Sequence, residues 1–164
     1  MRRTPDRSLH AIRCGILLLL TGCVSARVSR GGGAAERQVV NPPGISPLVP
    51  AYSVAIRDRE LVFVSGMTGI KPGTQDIIEG GVAVQTRQTL ENVRTALRSA
   101  GAAMTDVGEC TVFLVDMADY AAMNAAYIEF FPVAPPARAT VAVSALPRPA
   151  ARVEIKCTAV LRSR

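Results

Sequence analysis

Val153, Ile155, Cys157, Ala159 and Leu161 occupy every second position of the stretch 152–161, an alternation that predicts a β-strand with one apolar face. Strand side chains point to opposite faces in turn, so Glu154, Lys156 and Thr158 share the other face. A second alternating run, 138–145, follows Pro135 and Pro136 and sets Arg138 and Thr140 opposite Val141 and Val143. Each run carries one charge in an otherwise strand-like setting. If the two strands are neighbours, a guanidinium and a carboxylate can line one cleft. A structural salt bridge or two solvated charges are the other readings of the same pair.

The rest of the chain has room for one domain. Strands are expected near 52–57 and 61–66, joined by a hairpin turn at 57–60, with a second turn at 71–74. Apolar or small residues at 83, 86, 90, 93, 97 and 100 follow a helical period, and Gly101 is placed to end that helix. A strand is expected at 110–115. Asp119 suits an N-cap for a second helix with Met123, Tyr127 and Phe130 on one face, closed by Pro132. Two helices on one face of a mixed sheet make an α+β sandwich.

The formal net charge of +6 invites a nucleic-acid partner, but its location argues against one. Of the 19 Lys and Arg, four lie within residues 1–22, with one of the 13 Asp and Glu, which leaves 15 against 12 beyond. Arg27, Arg30 and Arg37 against Glu36 account for most of that remainder. The folded part is close to neutral, with no basic stripe and no interleaved aromatics, so no nucleic-acid partner is expected. The single histidine, His10, lies in the first 22 residues. Ser-His-Asp, Cys-His and His-based zinc chemistry are therefore excluded from the domain. No run resembles a phosphate-binding glycine loop, and chemistry must use Arg, Glu, Tyr, Ser, Thr, Asn or backbone groups.

Residues 1–13 are basic, 15–20 are apolar, and Leu20-Thr-Gly-Cys23 follows, the pattern of a secretory leader. The apolar stretch is short for a spanning helix, which needs about 20 residues. The last four residues look like a bacterial lipobox. Residues 1–22 are thus expected as a cleaved lipoprotein signal, Cys23 as a lipidated anchor to the membrane, and 23–44 as a flexible tether to a domain over 45–164. Because Val24 rather than aspartate follows the cysteine, the periplasmic face of the outer membrane is the expected location. Cys14 leaves with the leader. Cys110 and Cys157 remain, each among apolar neighbours, and are expected as buried free thiols.

Several stretches resemble the RidA (YjgF-like) family of imine deaminases. Pro135-Pro-Ala-Arg-Ala-Thr140 and Val153-Glu-Ile155 are similar to its two signature stretches. Tyr52–Arg57 with Leu61–Gly66 resembles its opening hairpin, with the same Tyr-to-Ser spacing. Arg87–Val93 resembles its first helix and Met123–Phe131 its second. The likeness runs in unbroken order from about Ile45 to Leu161, and that order makes it specific.

The resemblance implies a chorismate-mutase-like sandwich, assembled as a homotrimer with sites in the clefts between subunits. It also implies hydrolysis of 2-imino acids and their enamine tautomers to 2-oxo acids and ammonia, and no cofactor or metal is expected. Residue by residue, it implies Arg138 as a carboxylate clamp and Glu154 as the group that handles water and protons. Tyr52 would line the pocket, Ser65 and the Gly66 N–H would contact ligand, and Asn124 would shape the cleft. Thr140 would be a substrate-binding position where deaminating members often have cysteine, and Met67 replaces a usual glutamine. Read without the family, Tyr52 is equally a core or interface residue, Ser65 a turn residue and Asn124 a helix-surface amide. Ribonuclease activity is also attributed to some members. An exported imine deaminase is unusual, since reactive imines arise mainly in the cytoplasm. A different small carboxylate substrate, or a lipid-anchored binding module that keeps the pocket without turnover, are the alternatives.

Overall fold

A computed structural model describes residues 37–162. The leader, Cys23 and the tether as far as residue 36 lie outside the described residues. Six strands and two helices follow in order: β1 (Gln38–Val40), β2 (Ala55–Asp58), β3 (Leu61–Thr68), α1 (Val82–Ser99), β4 (Val107–Leu114), α2 (Tyr120–Tyr127), β5 (Ala137–Ala142) and β6 (Val153–Val160). The strands form one mixed sheet in the order β1-β2-β3-β6-β4-β5, in which only β4 and β5 run parallel. That parallel pair is joined through α2, as a parallel crossover requires. The α+β sandwich expected from the sequence is the observed fold.

Helix α1 forms where the helical period predicted it. Thr86, Leu90, Val93 and Leu97 are buried along one face, packed over β3 and β6. Its end is set by Gly101, whose φ of 82° lies in the left-handed region that a β-carbon disfavours. There the Gly101 N–H donates to Arg98 O at 3.0 Å and the Ala102 N–H to Leu97 O at 2.9 Å. Two buried amides on the same helix act as struts. Asn92 Nδ2 donates to Thr68 O and Ile70 O, both at 3.0 Å. Gln85 Nε2 donates to Ala150 O at 3.0 Å, while its Oε1 accepts from Arg152 N at 2.8 Å. These bonds satisfy groups that would be costly to bury unpaired, and they fix the end of β3 and the start of β6.

Three expectations are corrected. The tether does not extend to residue 44, because Gln38–Val40 pair antiparallel with β2 and both Val40 and Ile45 are buried. Three residues carry too little period to be recognised in the sequence; ladder bonds and burial decide them. Asp119 does not cap α2 with its side chain. Asp116 accepts from Ala118 N at 2.9 Å one turn earlier, and Asp119 instead takes an ion pair from Arg152 at 2.8 Å.

Cys110 and Cys157 are not free thiols but a disulfide. They are register partners on β4 and β6, with Cα atoms 4.1 Å apart, a geometry that becomes visible only once the strands pair. The bridge closes a separation of 47 residues. Loop-closure entropy then predicts about 4 kcal/mol of stabilisation. A Cys110→Ala/Cys157→Ala double variant should melt roughly 10–20 °C lower than the parent in a thermal scan. An unchanged melting temperature would show that the bridge does not staple the sheet.

Candidate active site

The β3–β6 pairing carries the feature that shapes one half of the site. Val64 pairs with Cys157 and Met67 with Ile155, so three steps on β3 face two on β6 and a bulge forms at Ser65 and Gly66. The Glu154 side chain lies against this bulge. A β-carbon on Gly66 would sit 2.0 Å from Glu154 Oε1 and 2.7 Å from its Cδ, so only glycine leaves the carboxylate its place. Tyr52, Ser65, Gly66, Met67 and Glu154 line one pocket, together with the loop at 45–48. Glu154 is partly buried there, and desolvation raises its pKa above the ordinary carboxylate range.

Not every hydroxyl in this pocket is available to a ligand. Ser65 Oγ donates to Ser53 O at 2.7 Å, which ties the bulge to the preceding loop. The Tyr52 hydroxyl accepts from Leu48 N at 2.8 Å, which leaves its ring as a wall and its proton free to be donated.

Arg138 lies elsewhere. It is in register with Cys110 on β4, and Glu154 is in register with Phe113 on that same strand, so β4 separates the two. Cys110 faces the helices, whereas Glu154 alternates with the buried Val153 and Ile155 and faces away from them. Two strand spacings alone amount to about 10 Å. Within one chain, therefore, Arg138 and Glu154 neither share a cleft nor form a salt bridge. This corrects the neighbouring-strand condition, which required β5 to lie beside β6.

The Arg138 half is built on α2. Tyr120, Asn124 and Tyr127 fall at helical spacing on one face of that helix. The Arg138 guanidinium lies 4.7 Å from the Tyr127 ring centroid and 5.9 Å from that of Tyr120. Its Nη2 donates to the Tyr120 hydroxyl at 3.3 Å. Asn124, Tyr127, Ile128, Pro135, Pro136 and Arg138 line the pocket around it. The Asn124 amide, and after it the charge of Arg138, holds the Tyr120 hydroxyl below its ordinary range. Burial pushes Tyr127 up to about 12, against a smaller downward pull from Arg138. Thr140 shares Arg138's face but lines neither pocket, and its hydroxyl is buried without a partner among the described residues. Tyr120 and the role of Tyr127 were missed from the sequence, although the 120, 124, 127 spacing was there to be read.

This arrangement, a carboxylate on a β-bulge and an arginine opposite an asparagine-bearing helix, runs through a matched region. A family model described as Endoribonuclease L-PSP matches residues 45–161. The chain belongs to this family, the RidA/YjgF family. The chloroplastic Reactive Intermediate Deaminase A of Arabidopsis thaliana is 36% identical over 136 residues, covering 83% of this chain and 72% of that protein. A Mus musculus protein named 2-iminobutanoate/2-iminopropanoate deaminase is 35% identical over 124 residues, 76% of this chain and 91% of its own length. Among solved structures, RidA from an Antarctic Psychrobacter superposes with a TM-score of 0.72 at 32% identity, covering 76% of this chain and all of the other. The six-stranded sheet and its two helices are thus the RidA fold, and imine deamination is an activity for which RidA-family relatives are named.

Proposed function

We propose that this chain hydrolyses 2-imino acids, and the enamines in equilibrium with them, to 2-oxo acids and ammonia. One observation carries the reading. Among the described residues Arg138 pairs with no carboxylate and Glu154 with no cation, so neither charge is neutralised within the fold. A pair of charges kept for a salt bridge would have met. These are kept for something else.

The substrate asks three things of a site. Its carboxylate needs a planar, two-pronged cation, which the Arg138 guanidinium supplies. Its imine carbon needs a positioned water. Its nitrogen needs a proton as the carbon–nitrogen bond weakens. Glu154 takes a proton from the water as oxygen adds to the carbon, and returns it to nitrogen. Glu154 then takes the proton of the carbinolamine hydroxyl and passes it to the amine nitrogen, so that the carbon–nitrogen bond breaks, the carbonyl forms and ammonia leaves with the carboxylate restored. Burial of Glu154 favours this cycle, because desolvation raises its pKa and makes the carboxylate a stronger acceptor for the proton it takes from water.

Each half-site is incomplete by itself, and a second subunit completes it. Val39, Leu61, Phe63, Val141 and Val160 are all exposed on the helix-free face of the sheet, and their burial between subunits would remove that apolar surface from water. The expected assembly is a homotrimer. Light scattering on the purified chain should give three times the monomer mass; a monomer at micromolar concentration would contradict it.

The chain is also proposed to act on the periplasmic face of a bacterial membrane, anchored through Cys23. The Cys110–Cys157 disulfide supports an oxidising compartment. Metabolic labelling with an alkyne fatty acid should mark the parent chain and leave Cys23→Ser unlabelled, and equal labelling of both would end the anchor proposal.

The function is tested with an amino-acid oxidase that generates the imine from alanine, semicarbazide to trap it, and the full chain added. Faster pyruvate formation and less trapped imine are expected. Retention of pyruvate by the chain without any acceleration would leave a binding module in place of an enzyme.

A further inference from the structure

Arg138 has four rotatable side-chain bonds, and a clamp that must order itself on each encounter binds weakly. The structure shows what orders it. The guanidinium carbon lies over the Tyr127 ring, 4.7 Å from its centroid, and Nη2 is tethered to the Tyr120 hydroxyl at 3.3 Å. Tyr127 is itself immobilised, being 4% exposed and packed against Phe131 with ring centroids 4.9 Å apart. Its hydroxyl is buried and has no partner among the described residues, so the ring rather than the hydroxyl serves Arg138. The tether to Tyr120 uses one nitrogen and leaves the other guanidinium N–H groups without protein partners among the described residues.

We propose that Tyr120 and Tyr127 are positioning residues that hold the Arg138 fork ready for the substrate carboxylate. This rests on the reading of Arg138 as the carboxylate clamp. A cation stacked on an aromatic face keeps its plane while its edge stays open to a planar anion. The contribution belongs to ground state and transition state alike, because the carboxylate is held throughout the reaction. It therefore acts on KM and leaves kcat unchanged.

The test uses the full chain with imine generated from alanine, pyruvate binding measured by calorimetry, and a melting temperature for every variant. Tyr127→Phe keeps the ring and should hold KM and pyruvate affinity within about twofold of the parent. Tyr127→Leu removes the ring and should raise KM and weaken pyruvate about tenfold, with kcat changed less than twofold. Tyr120→Phe removes only the tether and should weaken pyruvate about threefold. A folded Tyr127→Leu with parental KM overturns the inference, as does a Tyr127→Phe as impaired as the leucine variant. Where Tyr127→Leu does not fold, the exposed Tyr120→Phe decides, and parental pyruvate affinity overturns the inference. Arg138→Ala separates the two levels. If it keeps full pyruvate affinity, the clamp reading falls; if it loses affinity while Tyr127→Leu does not, only the positioning role falls.

Discussion

Replacing Arg138 by alanine is expected to lower kcat/KM by about two orders of magnitude while leaving the chain folded. A hydrogen bond to a charged group contributes roughly 1.5–3 kcal/mol, and a two-pronged contact loses two of them. At 1.36 kcal/mol per factor of ten, even the lower figure gives about a hundredfold. The stability cost is small because the guanidinium is in no ion pair and its fold contacts are one 3.3 Å bond to a phenol and an aromatic face. A contact between this half-exposed cation and a buried aromatic ring is worth about 0.5–2 kcal/mol, or several degrees of melting temperature. Arg138→Lys keeps the charge and loses the planar fork, so it should recover only part of the loss. Turnover measured beside melting temperature separates this from a structural role, in which activity would fall only with the folded fraction. A folded Arg138→Ala with full activity would mean that the clamp lies elsewhere.

Glu154→Gln is expected to lower kcat by about 10²–10⁴, the usual worth of a positioned acid–base group, with little change in KM. The variant keeps the size of the side chain but cannot take and return a proton. Gly66→Ala should reproduce much of this loss from the neighbouring strand, since a β-carbon 2.0 Å from Oε1 forces the carboxylate aside. The pH dependence follows from burial. Glu154's folded-state pKa is raised above the ordinary 4.5, so the deprotonated form proposed to activate water would be lost as pH falls through that raised value. The acid limb of the kcat profile should therefore inflect above 4.5 in the parent and vanish in Glu154→Gln. Stability has the opposite sign. A raised folded pKa makes this carboxyl most favourable at low pH and a burden once it ionises in place, so Glu154→Gln should melt no lower than the parent at neutral pH. A parent inflection at or below 4.5, or a fully active Glu154→Gln, would remove Glu154 from the chemistry.

Local pattern determined a large part of this protein in advance. The alternation from Val153 to Leu161 correctly set Glu154 on the face opposite the buried Val153, Ile155 and Cys157. The helical period with Gly101 at its end located α1 to within a residue, because Gly101's positive φ is a local requirement that the neighbouring residues already announce. The residue order of the RidA family was legible as well, and with it the candidates that line the two pockets. Strand order was not. The link from β5 to β6 passes over β4, and nothing in either alternating run says which strands become neighbours. Period two relates residues within a strand; neighbours are chosen by how the helices and the parallel crossover pack. Only the tertiary structure therefore decided that Arg138 and Glu154 face apart, that Cys110 meets Cys157, and that an arginine on β5 rests on two tyrosines of α2. All three depend on contacts between residues distant in the chain, where the pairing of whole strands and not any local preference determines what touches.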